Sequence, residues 1–156
     1  MYEHIKDLDI KKTLETYKPL LDSCKNKPLD LSGYRVEKHW GYEIWLEVNE
    51  FYAYKLIHMN LGCRCSLQSH AIKVEANYVI DGEAEVLLEN DKGEMESTIY
   101  TVGQGWCVPA GKKHRVIAKT AYTALEVSTP HLDDITRFAD DMNRGNGKIE
   151  SEHKKQ

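Results

Sequence analysis

The stretch Gly62-Cys63-Arg64-Cys65-Ser66-Leu67-Gln68-Ser69-His70-Ala71-Ile72-Lys73-Val74-Glu75-Ala76-Asn77-Tyr78-Val79-Ile80-Asp81-Gly82 carries the pattern from which the rest of the chain is read. Gln68 and His70 are two apart, so on a strand both side chains leave the same face, their Cα atoms about 7 Å apart. Ala71 to Val74 are enough for a tight bend, after which Glu75 returns to the same place from the next strand. His114 follows Pro109-Ala110-Gly111, a turn that starts another strand. Two imidazoles, one carboxylate and one amide oxygen make a mixed nitrogen–oxygen site, suited to zinc first and to manganese, iron or nickel after it. By strand parity Cys63 and Cys65 point away from this face, unless a bulge intervenes before Gln68.

Outward from this stretch the chain reads as short strands. They are predicted over 34–38, 42–48, 52–60, 64–70, 74–80, 83–89, 96–102, 105–108, 113–118 and 122–128, rich in Val, Ile, Tyr and Trp and bounded by Gly, Asn or Asp. Asp81-Gly82 is predicted as a two-residue hairpin turn. After it Ala84, Val86 and Leu88 alternate with Glu83, Glu85 and Glu89, as a half-buried strand requires. Many short strands and few helices indicate an all-β sandwich or barrel. Residues 1–33 form a separate N-terminal extension, helical over 7–24 with Leu14, Tyr17, Leu21 and Cys24 on one side and a break at Pro19. The barrel domain spans 34–144, its end predicted as a short helix over Asp133–Arg144. The polar residues 145–156 are predicted as a frayed, flexible tail.

Composition narrows the function. With 156 residues, 41% hydrophobic and 29% charged, the chain reads as one globular domain. No apolar run approaches the roughly 20 residues that span a bilayer, and the N-terminus lacks a signal-peptide pattern, so a cytoplasmic, membrane-free protein is expected. A net charge of −4 argues against nucleic-acid binding. The four cysteines are expected to be reduced structural thiols. Trp40, Trp45 and Trp106 are assigned to the core rather than to sugar stacking.

The spacing resembles the two motifs of the cupin superfamily. Gly62, Gln68, His70, Glu75 and Gly82 match the first motif, and Gly103, Pro109, Gly111 and His114 match the second. Within that superfamily the chain resembles the cupin module of phosphomannose isomerases (mannose-6-phosphate isomerase type II). The resemblance is carried by Val36-Glu37-Lys38-His39-Trp40-Gly41-Tyr42, Ser66-Leu67-Gln68-Ser69-His70, Leu125-Glu126-Val127 and Asp133-Asp134-Ile135-Thr136-Arg137-Phe138-Ala139-Asp140-Asp141.

The resemblance implies a single double-stranded β-helix (jelly-roll) barrel with one divalent metal held by Gln68, His70, Glu75 and His114. It also implies substrate contacts from Ser66, Lys55 and Lys73, catalytic roles for Lys73 and Arg137, and a homodimer. The chain departs from the family pattern at His39, at Ala76-Asn77, at Ala118 and at Thr129-Pro130-His131.

A cation with one ionised glutamate gives a positive pocket, which Lys55, Lys73 and Arg137 reinforce. This suits a small-molecule sugar phosphate. The expected activity is an aldose–ketose isomerisation in which the metal stabilises an enediolate. Lys73 would serve either as a proton carrier of lowered pKa or as a phosphate clamp. Arg137 would either act at the site or pair with Asp133, Asp134 or Asp141. A non-catalytic metal- or sugar-binding module and an iron-dependent oxygenase are the competing readings.

Overall fold

The computed structural model describes residues 34–153, so the extension predicted over residues 1–33 lies outside the described residues, as do residues 154–156. Strands are the dominant regular structure of the described chain. The strands are β1 Tyr34–Lys38, β2 Gly41–Val48, β3 Ala53–Met59, β4 Leu67–Ser69, β5 Glu75–Asp81 and β6 Glu83–Glu89, followed by β7 Met95–Thr101, β8 Gly105–Val108, β9 His114–Ala118, β10 Tyr122–Ser128 and β11 Thr136–Ala139. They pair antiparallel in two sheets, one in the order β1-β2-β3-β10-β5-β8 and the other β11-β4-β9-β6-β7. This is the jelly-roll barrel expected from the sequence.

Alternation along each strand decides what enters the barrel. On β10, Tyr122, Ala124, Glu126 and Ser128 are all buried, while Thr123, Leu125 and Val127 turn outward. One part of the interior is apolar. Trp40, Met59, Val79, Val86, Trp106, Val108 and Tyr122 form the core, and burying each Val or Met stabilises the fold by about 1.5–3 kcal/mol. The other part is polar, with Lys55, Ser66, His70, Lys73, Glu75, Asn77, His114 and Glu126 all buried. Trp40 and Trp106 join the core as expected. Trp45 does not, and instead meets Tyr34 and His153 edge-on with the Lys55 ammonium 5.2 Å over its ring.

Three local predictions are corrected. Asp81-Gly82 does not close a hairpin, because β5 pairs with β10 and β8 whereas β6 pairs with β7 and β9. The turn is a corner that carries the chain from one sheet to the other. Gly82 has φ +74°, and a Cβ there would lie 2.0 Å from the Ala121 carbonyl oxygen. Gly82→Ala should therefore lower stability by about 2 kcal/mol or more, read as a drop in the midpoint of urea unfolding.

Second, the helix predicted over Asp133–Arg144 is absent, and Thr136–Ala139 is the edge strand β11 against β4. The acidic pair that resembles a helix start serves elsewhere. The Asp134 carboxylate accepts hydrogen bonds from the backbone N–H groups of Ala71, Ile72 and Lys73 rather than from a first helical turn of its own. Third, the segment expected as a frayed tail carries a 3-10 turn at Glu150–His153. Glu152 bonds Lys38 at 2.7 Å and Arg144 at 2.8 Å, which ties that turn to β1.

Candidate metal centre

The strand predicted over 64–70 is interrupted. Arg64 makes an isolated bridge to Ile117, and regular pairing resumes only at Leu67. Parity is lost across the break, so Cys65 and Ser66 both line the cavity although they are consecutive. The Cys65 thiol is nonetheless unsuited to be a thiolate ligand. Burial pushes its pKa up to about 11, and its sulfur accepts the Val116 N–H at 3.1 Å.

Gln68 on β4 lies directly opposite His114 on β9 and Arg137 on β11, so the three side chains form one row across the second sheet. Glu75 enters from the first sheet at the start of β5. Ring nitrogens of His70 and His114 and a carboxylate oxygen of Glu75 lie within 4.8 Å of one another. The His70 Nε2 to Glu75 Oε2 distance is 3.6 Å, and His114 Nε2 to Glu75 Oε1 is 3.5 Å. Ligand atoms about 2.0–2.1 Å from a tetrahedral zinc are about 3.4 Å apart, so the spacing needs almost no adjustment.

The imidazoles are set for this task. His70 Nδ1 donates to the Asp134 carbonyl, 2.5 Å away, which leaves Nε2 as the bare acceptor, and that atom is buried without a hydrogen-bond partner. His114 Nδ1 faces the Lys112 carbonyl at 3.4 Å, and burial holds its pKa below the ordinary value, so the ring stays neutral. Fixing one ring nitrogen on an outer acceptor while the other faces inward is how proteins prepare a metal-ligating histidine. Burial alone would raise the Glu75 carboxyl, but the Lys73 ammonium and the two imidazoles pull it well below the usual range. The residues present therefore fit a divalent cation.

Gln68 lies beside the cluster. Its Oε1 accepts the Ser66 hydroxyl at 2.7 Å, and its Nε2 is 3.4 Å from His114 Nε2. Turning the amide over, a choice that ordinary structures leave open, aims Oε1 at the imidazole side and lets Ser66 accept instead.

The lysines differ from expectation. Lys73 is buried, with Nζ 2.5 Å from Glu75 Oε2 and 3.3 Å from Glu126 Oε1. Burial works against its charge, but the two carboxylates outweigh that and raise its pKa. A Lys73 of lowered pKa, expected as a proton acceptor, is therefore not what the fold builds; the group is a fixed ammonium. Lys55 is also buried, 3.5 Å from Glu126 and 3.6 Å from Glu43. Lys38 continues the row, 3.9 Å from Glu43 and 2.7 Å from Glu152. Burial opposes the Glu43 charge, yet Lys55 and Lys38 bring its pKa down to about 2.

Arg137 pairs with none of Asp133, Asp134 or Asp141. Its guanidinium donates to the carbonyls of Gly145 and Gly147, and its Nε is buried with no partner.

These groups line one cavity of about 100 Å³. Within it Lys38, Lys55 and Lys73 are balanced by Glu43, Glu75 and Glu126, and Arg144 by Asp140 and Glu152. Arg137 is the cavity cation without a carboxylate partner among the described residues.

Sequence reasoning missed Glu43, Glu126 and Asp134. The first two had a signal. Glu126 shares a strand face with Tyr122 and Ala124, and Glu43 shares one with Trp45, so a charge was pointed inward.

The fold is the jelly-roll barrel of cupin structures. Similar solved structures include KdgF from Halomonas sp., at 16% identity and TM-score 0.57, with 65% of this chain and 91% of that one covered. A RmlC-like cupin from Shewanella frigidimarina matches at 18% and 0.56, covering 69% and 92%. A deletion mutant of Bacillus subtilis oxalate decarboxylase matches at 18% and 0.63, covering 86% of this chain and 39% of that one. Identities this low establish the fold alone. No protein-family profile matches the sequence, and no curated protein does. Among the described residues no helix is long and apolar enough to cross a membrane.

Proposed function

We propose that this protein is a metal-dependent isomerase of a phosphorylated sugar, with the aldose–ketose interconversion of mannose 6-phosphate as the nearest chemistry. The observation that carries this reading is the pairing, in one cavity, of the His70–Glu75–His114 cluster with an arginine that lacks a carboxylate partner. Arg137 and Gln68 face each other on adjacent strands, about 5 Å apart at Cα. A phosphate dianion at Arg137 therefore leaves the sugar's other end beside the cluster.

His70, Glu75, His114 and Gln68 would hold the cation, which polarises a carbonyl and stabilises negative charge on its oxygen. The chain's own groups supply the rest. Lys73 remains an ammonium and donates a hydrogen bond to a substrate oxygen. Glu126, 3.3 Å from it, is the non-ligating carboxylate nearest the cluster and carries the proton between adjacent carbons. Ser66 orients the Gln68 amide.

The test is exchange of the C2 hydrogen in deuterated water, followed by NMR, with zinc- or manganese-loaded protein and a panel of hexose and pentose phosphates. Exchange is expected, reduced about a hundredfold by Lys73→Met, while Arg137→Met raises KM more than it lowers kcat. Absence of exchange with every sugar phosphate refutes the reading, and ligand-induced stabilisation without exchange would identify a binding module instead.

A further inference from the structure

A phosphorylated sugar presents two chemistries, an anion and a run of neutral hydroxyls. The cavity presents two kinds of wall to match. Arg137 offers uncompensated positive charge. The wall built by β1, β2, β3 and β10 alternates Lys38, Glu43, Lys55 and Glu126, and carries no net charge.

Its geometry is open. A charge-assisted N–H···O bond closes at about 2.7–2.9 Å, whereas Lys55 stands 3.6 Å from Glu43 and 3.5 Å from Glu126. Although Lys55 is only 6% exposed, it makes no hydrogen bond among the described residues. Its ammonium has three donors to place. Glu43 is held on one oxygen by the Trp45 indole N–H at 2.8 Å. Its other oxygen has only Lys38, at 3.9 Å. Donors and acceptors thus alternate along the wall, separated by gaps that neither pair closes.

A hydroxyl group both donates and accepts, so it fits such a gap. A phosphate dianion, acceptor only, gains from the two lysines no more than it loses to the two carboxylates. We infer that Glu43 and Lys55 form a hydroxyl-reading subsite for the polyol part of the substrate, while phosphate gains nothing at this wall and docks at Arg137. This rests on the sugar-phosphate reading above and assigns Lys55, expected as a substrate contact, to the neutral part of the substrate.

The test is calorimetric titration of the zinc-loaded full chain with mannitol, a neutral open-chain hexitol, and separately with inorganic phosphate. Mannitol should bind the unaltered protein, and Glu43→Gln and Lys55→Met should each weaken it roughly tenfold. Phosphate should bind Glu43→Gln as well as or better than the unaltered protein, and Lys55→Met should leave phosphate unchanged. The inference is overturned if mannitol does not bind, if both variants leave mannitol unaffected, or if Lys55→Met removes phosphate binding. Melting curves show whether Glu43→Gln folds, and Lys55→Met decides the matter if it does not. Loss of C2 exchange with the mannitol pattern intact would sink the isomerase and keep the subsite. The reverse outcome would sink the subsite alone.

Discussion

His70→Ala should purify with essentially no metal, and the unaltered protein should carry about one divalent ion per chain by elemental analysis. The expectation follows from the geometry of one ring. His70 is 1% exposed, and its Nε2 has no hydrogen-bond partner although it faces Glu75 and the ring of His114. A buried acceptor left bare costs about 1–3 kcal/mol. A divalent cation would satisfy it. Deleting the ring leaves one imidazole and one carboxylate as the strong donors, and affinity should fall by a hundredfold or more, about the upper range for disturbing even an outer-layer partner. His114→Ala should behave alike. A His70→Ala protein that still holds a stoichiometric ion would show that the metal sits elsewhere.

Asp134→Ala should be the most destabilising change near the site that leaves every ligand in place. Its carboxylate accepts three backbone N–H groups, from Ala71 at 3.0 Å, Ile72 at 2.6 Å and Lys73 at 2.9 Å. Those donors form the bend between His70 and Glu75, so the aspartate fixes the angle at which two ligands face each other. Hydrogen bonds to a charged group contribute about 1.5–3 kcal/mol each in favourable cases. Asp134 is partly solvated, so about 3 kcal/mol in total is expected, or about 10 °C in Tm.

The pH dependence has a definite sign. Burial would raise the Asp134 carboxyl, but the three N–H donors bring it down to about 2 from 3.8. Its contribution is therefore complete above pH 3.8 and is lost as pH falls through about 2. The Tm gap between Asp134→Ala and the unaltered protein should be widest at neutral pH and close toward pH 2. A gap that stays constant down to pH 2 would mean that the carboxylate's charge is not what holds the bend. Metal affinity should fall in the same variant, because the bend that sets His70 against Glu75 loses its carboxylate acceptor.

The barrel and its ligands were legible in the sequence for a physical reason. Period-2 alternation and the turn residues report on backbone and burial together, and Gln68, His70, Glu75 and His114 occupy positions that a bend and a strand bring together. What escaped depends on contacts between distant segments. Asp133-Asp134 has the local chemistry of a helix start, and only the three N–H groups of the 71–73 bend, more than sixty residues away in sequence, redirect it. Asp81-Gly82 has the local chemistry of a hairpin, and only the pairing of β6 with β9 turns it into a corner. The Lys73 charge state was left open because Glu126, on β10, could not be placed beside it from spacing alone.

The bond from His70 Nδ1 to the Asp134 carbonyl bears on the order of events as the chain is made. All four donors have left the ribosome once His114 has emerged, yet the group that orients His70 arrives only with Asp134. Until then the ring is free to turn, and a nascent chain holds the right atoms without their arrangement. If the cluster holds a cation, high-affinity loading would await the segment that carries Asp134, so metal captured early should exchange readily and become slow to dissociate only after that segment docks. In refolding, the fast, metal-independent signal of barrel closure should precede a later step at which the ion becomes resistant to chelators.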